Sequence, residues 1–418
     1  MTTKSTQGAM SAHGVKCRRA GTGLALNRIE DANSCGKPEV SIRFIEKRRS
    51  RPDWCNSSTP ALSNRTVEWI AQLTSAMALT QDTRPRTVVL LQFSGIGDLV
   101  WHIVYFKAIA AQSQGGQVTV VAQPSTLVKP FLTHEPWVEE IIEHDHRPRR
   151  TEKRRGRHAG MIGMWRMASE LKQGRFDRII LFSGRISRGL IAALSCIPDR
   201  RGYGYRPLQR LFLNRGPFIG AHRGNSVAAY PEASAFAVAH GFAPQWLRPT
   251  LEVPAQAKLS IEPQLAHLPR PLCALAIGTS ETHKQWGVKN FTLLAEQLIA
   301  RGAGVILLGG PAERELARDI QSMISATAQS ALLMLTDAPV YGSAAALQMA
   351  DVCVGNDTGM VNVAAAVGTS TFVLMGPRPA LTHDSNMRMI TGSSLGSITP
   401  EEVLTQIAPL IRLTADES

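Results

Sequence analysis

No stretch of the 418-residue chain approaches the ~18–20 consecutive apolar residues that a membrane span requires. The N-terminal segment MTTKSTQGAMSAHGVKCRRAG likewise has no apolar core of the kind a secretory signal carries. Cysteine is scarce, six residues with no CxxC spacing, so neither a disulfide framework nor a zinc site is expected. Cys196, Cys273 and Cys353 lie in apolar surroundings and read as buried small hydrophobes. No other cluster has metal-ligand spacing, and no cofactor is called for. These absences fit a protein of a reducing cytoplasm.

Positive charge is what the chain has in excess: 46 Lys and Arg against 33 Asp and Glu, a formal net charge of +13. Such a balance asks for an anionic partner. The densest run is RPRRTEKRRGRH, in which Arg147, Arg149, Arg150, Lys153, Arg154, Arg155 and Arg157 face a single glutamate. No aromatic residues are interleaved to stack bases and no nucleic-acid motif accompanies the run, so nucleic acid is not the expected partner. The run lies between elements of a folded region. It points to phosphate groups on an acceptor or to an anionic membrane surface.

Residues 1–85 are polar, basic and poorly patterned, and read as a poorly ordered extension. From Thr87 short β-branched runs alternate with helical stretches of 10–15 residues: TVVLLQFS, QVTVVAQ, VEEIIEHD and RIILFSG as strands, DLVWHIVYFKAIAAQ and MIGMWRMASELKQ among the helices. This is the signature of βαβ units and a parallel sheet. Residues 251–271, rich in proline, read as a linker. A second series follows over 272–418, with CALAIG, VILLGG, VCVGN and TFVLMGP as strands. The fold class is α/β, two Rossmann-like domains (86–250 and 272–418) facing a central cleft, with ligands at the carboxyl ends of the strands.

Four strand-to-helix turns carry the candidate chemistry. In NDTGMVNVAAAVG, Asp357, Thr358 and Gly359 open a small-residue helix whose free N–H groups suit a diphosphate. Asp357 as a mere helix cap is the plainer alternative. In GTSETHKQW, the hydroxyls of Thr279 and Ser280 and the ammonium of Lys284 suit phosphate neutralisation. In GGPAE, Glu313 is placed either to accept from ribose hydroxyls or to complement a helix dipole. In FSGIGDLVWHI, Gly95 and Gly97 shape the first turn and Asp98 begins the helix. A helix cap needs no second glycine, so something is expected to approach this backbone closely. Asp98 is the candidate general base.

In this order, the segments FSGIGD, GTSETHK, GGPAE and NDTGMVNVAAAVG resemble the lipopolysaccharide heptosyltransferases, glycosyltransferase family 9, over about residues 86–413. The resemblance implies a GT-B fold and metal-independent, inverting transfer of heptose from ADP-heptose to a lipid-linked phosphorylated inner-core sugar. The expected location is the cytoplasmic face of an inner membrane, to which the protein is peripheral. By position Asp98 matches the catalytic base. Thr279, Ser280 and Lys284 match the diphosphate site and Glu313 the ribose site. Asp357, Thr358, Gly359 and Met360 match the grip on donor sugar and phosphate. Where the family usually has histidine this chain has Asn362, a donor-side position, and Trp101 and His102 stand where smaller residues and a proline are common. His102 is read as a packed side chain. Two alternatives stay open: a family 9 transferase with another nucleotide sugar or acceptor, and a non-catalytic envelope-assembly factor with a retained donor cleft.

Overall fold

The computed structural model describes residues 82–411, apart from 149–151, 225–226, 280 and 379–383. Nearly all of the 1–85 extension, and Arg149, Arg150 and Ser280, therefore lie outside the described residues.

The first half is a five-stranded parallel sheet in the order β3-β2-β1-β4-β5, formed by β1 (Thr87–Leu91), β2 (Val118–Ala122), β3 (Val138–Glu143), β4 (Arg178–Phe182) and β5 (Asp199–Gly202). Every residue of TVVLL and VTVVA is buried, because helices cover both faces and a strand in that position must be apolar throughout. The helices are α1 (Ile96–Ala110), α2 (Val128–Leu132), α3 (Gly160–Gln173), α4 (Ile186–Leu194) and α5 (Ala229–Ala239).

The second half begins with α6 (Ala255–Leu265), inside the stretch read as a linker. Its Ile261 and Leu265 are buried and it packs on a helix of the second half, so most of 251–271 is ordered cover rather than a tether. Proline at 254 and an internal Pro263 hide this helix from a reading by periodicity. Six parallel strands follow in the order β11-β10-β9-β6-β7-β8: β6 (Leu272–Ala276), β7 (Gly304–Leu308), β8 (Leu332–Leu335), β9 (Val352–Asn356), β10 (Ser370–Gly376) and β11 (Met387–Thr391). Between them run α7 (Val288–Ala300), α8 (Arg314–Met323), α9 (Val340–Met349) and α10 (Gly359–Ala366), and α11 (Pro400–Ile407) closes the series. The Thr399 hydroxyl accepts from the Glu402 N–H at 3.2 Å and caps α11 as its sequence predicts.

Chain order fixes where ligands bind. In the first sheet the strands run outward from β1 on one side and from β4 on the other. In the second they run outward from β6 and from β9. The two switch points are thus the clefts after β1 and β4 and after β6 and β9. The halves are joined where α1 packs on α10, and one continuous apolar core runs from Val89 and Phe106 through Trp101 to Val361, Ala364 and Val373.

Cys273 and Cys353 are buried, with burial pushing both thiols up to about 12. Cys196 is not: it is exposed, in a left-handed turn (φ 58°) just past α4, and the apolar run preceding it misleads because the helix ends first.

Candidate active site

Asp98 stands at the third residue of α1, half-buried, where its Oδ2 accepts from the Gly95 N–H at 3.0 Å. It is therefore a helix cap, as the plain reading of the turn has it. Burial nevertheless pushes its carboxyl up to about 6. The Gly95 N–H and the Lys284 charge oppose that rise and the Asp357 charge adds to it. The electrostatic reach of Lys284 and Asp357 places residues of the second half within the field of a carboxylate on the first.

The second glycine of GIGD has a structural reason. A Cβ on Gly97 would fall 2.6 Å from Asn362 Nδ2, and one on Gly359 would fall 2.5 Å from Ile96 Cβ. What comes close to the first turn is therefore the N-terminus of α10. The first turns of α1 and α10 interlock, glycine of each against a side chain of the other, which brings the two helix N-termini close together.

Around the second switch point, Asn356 fastens the loop after β6 to the end of β9. Its Nδ2 donates to the Ile277 carbonyl at 2.8 Å and to Gln285 Oε1 at 3.0 Å, and its Oδ1 accepts from the Trp286 N–H at 3.0 Å. This holds Lys284 beside Asp357, Nζ to Oδ2 at 3.4 Å, with Glu281 Oε1 at 3.3 Å from the same ammonium. Arg378, just after β10, pairs through Nη1 with that same Asp357 oxygen, and its Nη2 is buried without a hydrogen-bond partner among the described residues. Two cations thus converge on one carboxylate at the start of α10. Thr358 caps the helix, its hydroxyl accepting from the Met360 N–H at 3.3 Å. The Thr279 hydroxyl bonds within its own loop to Glu281. Glu313 accepts from the Gly310 N–H at 2.8 Å and lies against Gly278, so it adjoins the same loop while serving as a turn cap.

Asp98, Lys284, Asp357, Thr358 and Gly359 are brought together, and Met360, Thr279 and Glu313 border them. Asn362 is not free for a donor. It is buried, its Oδ1 accepts from Trp101 Nε1 at 2.9 Å, and its Nδ2 donates to the Thr358 carbonyl at 2.9 Å. Two of the three departures from the family pattern, Trp101 and Asn362, are therefore partners across the seam between the halves, and Asn362 is reassigned from donor contact to seam residue. Trp101→Phe would strand the buried Asn362 oxygen. A loss of about 1–3 kcal/mol in unfolding free energy is expected, read as a lower urea midpoint at unchanged slope.

His102 is packed, as expected. Its ring lies against Phe93, Phe106 and Phe182, burial lowers its pKa to about 4, and its Nε2 has no partner. Sequence reasoning missed Arg378 and the fastening role of Asn356. An arginine immediately after a strand's carboxyl end, in MGPRP, was the available signal for the first.

The basic segment follows β3 and enters α3. Arg147 and Lys153 are exposed, whereas Arg154 pairs with Asp145 and Glu152, and Arg157 with Glu170. Nearby, His146 Nε2 lies 2.9 Å from Nη2 of the buried Arg188. Among the described residues no group of three or more His, Cys, Asp or Glu side chains is placed to hold a metal ion, and no helix is long and apolar enough to cross a membrane.

Residues 164–390 match the model of glycosyltransferase family 9 (heptosyltransferase). Lipopolysaccharide heptosyltransferase 2 of Salmonella typhimurium is 25% identical over 354 residues, covering 78% of this chain and 98% of that protein. Its Escherichia coli counterpart is 24% identical with the same coverage. Among solved structures, E. coli ADP-heptose lipopolysaccharide heptosyltransferase II aligns with a TM-score of 0.60 at 21% identity, over 78% of this chain and 98% of that one. A family 9 glycosyltransferase from Veillonella parvula aligns with a TM-score of 0.62 at 16% identity, over 78% and 97%. The fold is GT-B, and the chain, matched by the family model over more than half its length, belongs to glycosyltransferase family 9.

Proposed function

We propose that this family 9 glycosyltransferase moves a heptose from ADP-heptose to a lipid-linked, phosphorylated inner-core sugar, with inversion, without metal, at the cytoplasmic face of an inner membrane. The observation that carries the reading is the meeting of Asp98, on the first half, with the Lys284–Asp357–Arg378 cluster at the start of α10 on the second. Each substrate then has its own wall: acceptor beside α1, nucleotide diphosphate beside α10.

The chemistry is a direct displacement. Asp98 takes the proton of the acceptor hydroxyl as its oxygen forms a bond to the anomeric carbon. The bond from that carbon to the diphosphate oxygen breaks on the opposite face. Charge gathering on the leaving diphosphate is met by Lys284, by Arg378 and by the N–H groups that open α10. These fixed donors are in place before reaction, which supports a mechanism needing no bound cation. Glu313 and Thr279 border the nucleoside side of that site. The relatives named lipopolysaccharide heptosyltransferase 2 support the choice of donor and acceptor.

The test is calorimetric titration of the purified chain with ADP, ADP-heptose, UDP-glucose and GDP-mannose in the presence of a chelator. Binding confined to the adenine compounds is expected. Preference for a uridine or guanosine compound would assign the enzyme to another donor, and binding without turnover on any acceptor would favour the assembly-factor alternative.

A further inference from the structure

Within the folded region positive charge is concentrated in one segment: residues 147–215 contain 18 Lys and Arg against four Asp and Glu. In the fold this segment supplies α3, α4 and a short helix, Pro207–Arg210, which pack side by side: α3 on α4, and α4 on Pro207–Arg210. Their inner sides, with Met167, Leu171 and Ile191, and Leu213 just beyond the short helix, cover one face of the first sheet.

Their outer sides are unusual for a solvated surface. Met161 and Ile162 are each 73% exposed, Trp165 59%, Leu208 59% and Leu211 75%. α3 is thus apolar on both faces of its first turns: Gly163 and Met167 point inward, Met161, Ile162 and Trp165 outward. Single exposed apolar residues need no explanation, but these lie on successively packed helices of a segment in which arginine and lysine far outnumber carboxylates. Ile162 and Trp165 line a shallow depression with Arg157, Arg166, Ser169, Gln173 and one carboxylate, Glu170, which pairs with Arg157. The Arg155 guanidinium lies over Gly160 at the helix start. Exposed Arg206 and Arg210 flank Leu208, and no carboxylate stands between them in the chain.

We infer that the layer formed by α3, α4 and Pro207–Arg210 is the surface by which the protein docks on a bilayer containing anionic phospholipid. Met161, Ile162 and Trp165 enter the headgroup boundary while the surrounding arginines meet lipid phosphate. Large apolar side chains beside arginine, with tryptophan among them, are the composition of an interfacial anchor. A purely hydrophobic partner would leave this charge unmatched, and a purely anionic soluble one would leave the apolar set in water. The inference rests on the lipid-linked acceptor of the proposed function only for its purpose, since a bilayer without acceptor suffices to test it.

The full-length chain is mixed with phosphatidylglycerol–phosphatidylethanolamine vesicles, and separately with phosphatidylcholine vesicles, and bound protein is measured by flotation. The wild type is expected to float with the anionic vesicles and to be released by raised salt. Met161→Ser, Ile162→Ser and Trp165→Ser together should weaken binding at least tenfold at unchanged melting temperature and unchanged ADP affinity. Leu208→Ser with Leu211→Ser provides a second, independent variant with the same expected direction. A wild type that ignores anionic vesicles overturns the proposal, as do variants that bind like it. A triple variant that alters only the oligomeric state would assign the patch to a second copy of the chain and also overturn it. Loss of ADP binding in the wild type would strike the donor assignment and leave this one standing.

Discussion

Asp98→Asn is expected to lower kcat by about 10²–10⁴-fold, the span that a positioned general base contributes, while ADP binds at least as well as before. Asparagine keeps the shape and can still accept from the Gly95 N–H, so the first turn of α1 should stand. It removes one negative charge from the neighbourhood of Asp357, which can only favour a diphosphate. The pH profile gives a second reading of the same residue. Burial holds the Asp98 carboxyl up at about 6, and a base works only when ionised. Wild-type kcat/KM should therefore climb tenfold per pH unit below about 6 and flatten above it, and the variant should lose that limb. Steady-state transfer assays from pH 4.5 to 8 check both. Wild-type turnover in the variant would take Asp98 out of the chemistry.

Gly359→Val is expected to damage the enzyme from a position that carries no functional group. A Cβ there already falls 2.5 Å from Ile96 Cβ and 3.3 Å from the Gly97 N, and valine adds two methyl groups to it. Overpacking of this kind costs about 1–3 kcal/mol, so a lower melting temperature should be seen. The larger effect is geometric. Relief of the clash moves the start of α10 away from α1, and a misplacement of about 1 Å between reacting groups can cost about 10²-fold in rate. Turnover should drop by about that factor in protein that still folds cooperatively. A variant with normal turnover and stability would show that the interlocking of the two helices is dispensable.

Much of this arrangement was legible in the sequence because its causes are local. Runs such as TVVLL and VCVGN announce strands buried on both faces, and the turns that follow them carry the site. The missed elements fail on the same ground. Strand β5 is DRRG, a polar edge strand with no apolar alternation to detect, and α5 and α6 are interrupted by proline. Candidate site residues contributed by one turn, such as Asp98 and Thr358, could be named in advance. Those defined by a meeting of distant turns could not. Arg378 acquires its role only because β10 lies beside β9, and Asn362 changes its role because Trp101 reaches it from 261 positions away. Asn362 could not be read correctly without knowing what Trp101 does.

The close approach of α1 to α10 also acts as a fulcrum. Glycine meets side chain there without slack, so any swing of one half against the other would turn about that point. Segments beyond the outer strands β3, β5, β8 and β11 would sweep long arcs, while Asp98 and Asp357, beside the pivot, would scarcely change their separation. The proposed proton acceptor and the proposed clamp on the leaving group would then stay in register whether the cleft gapes or shuts. The travel falls instead on the distal parts of the two substrates, which can enter and leave without dismantling the centre of the machine.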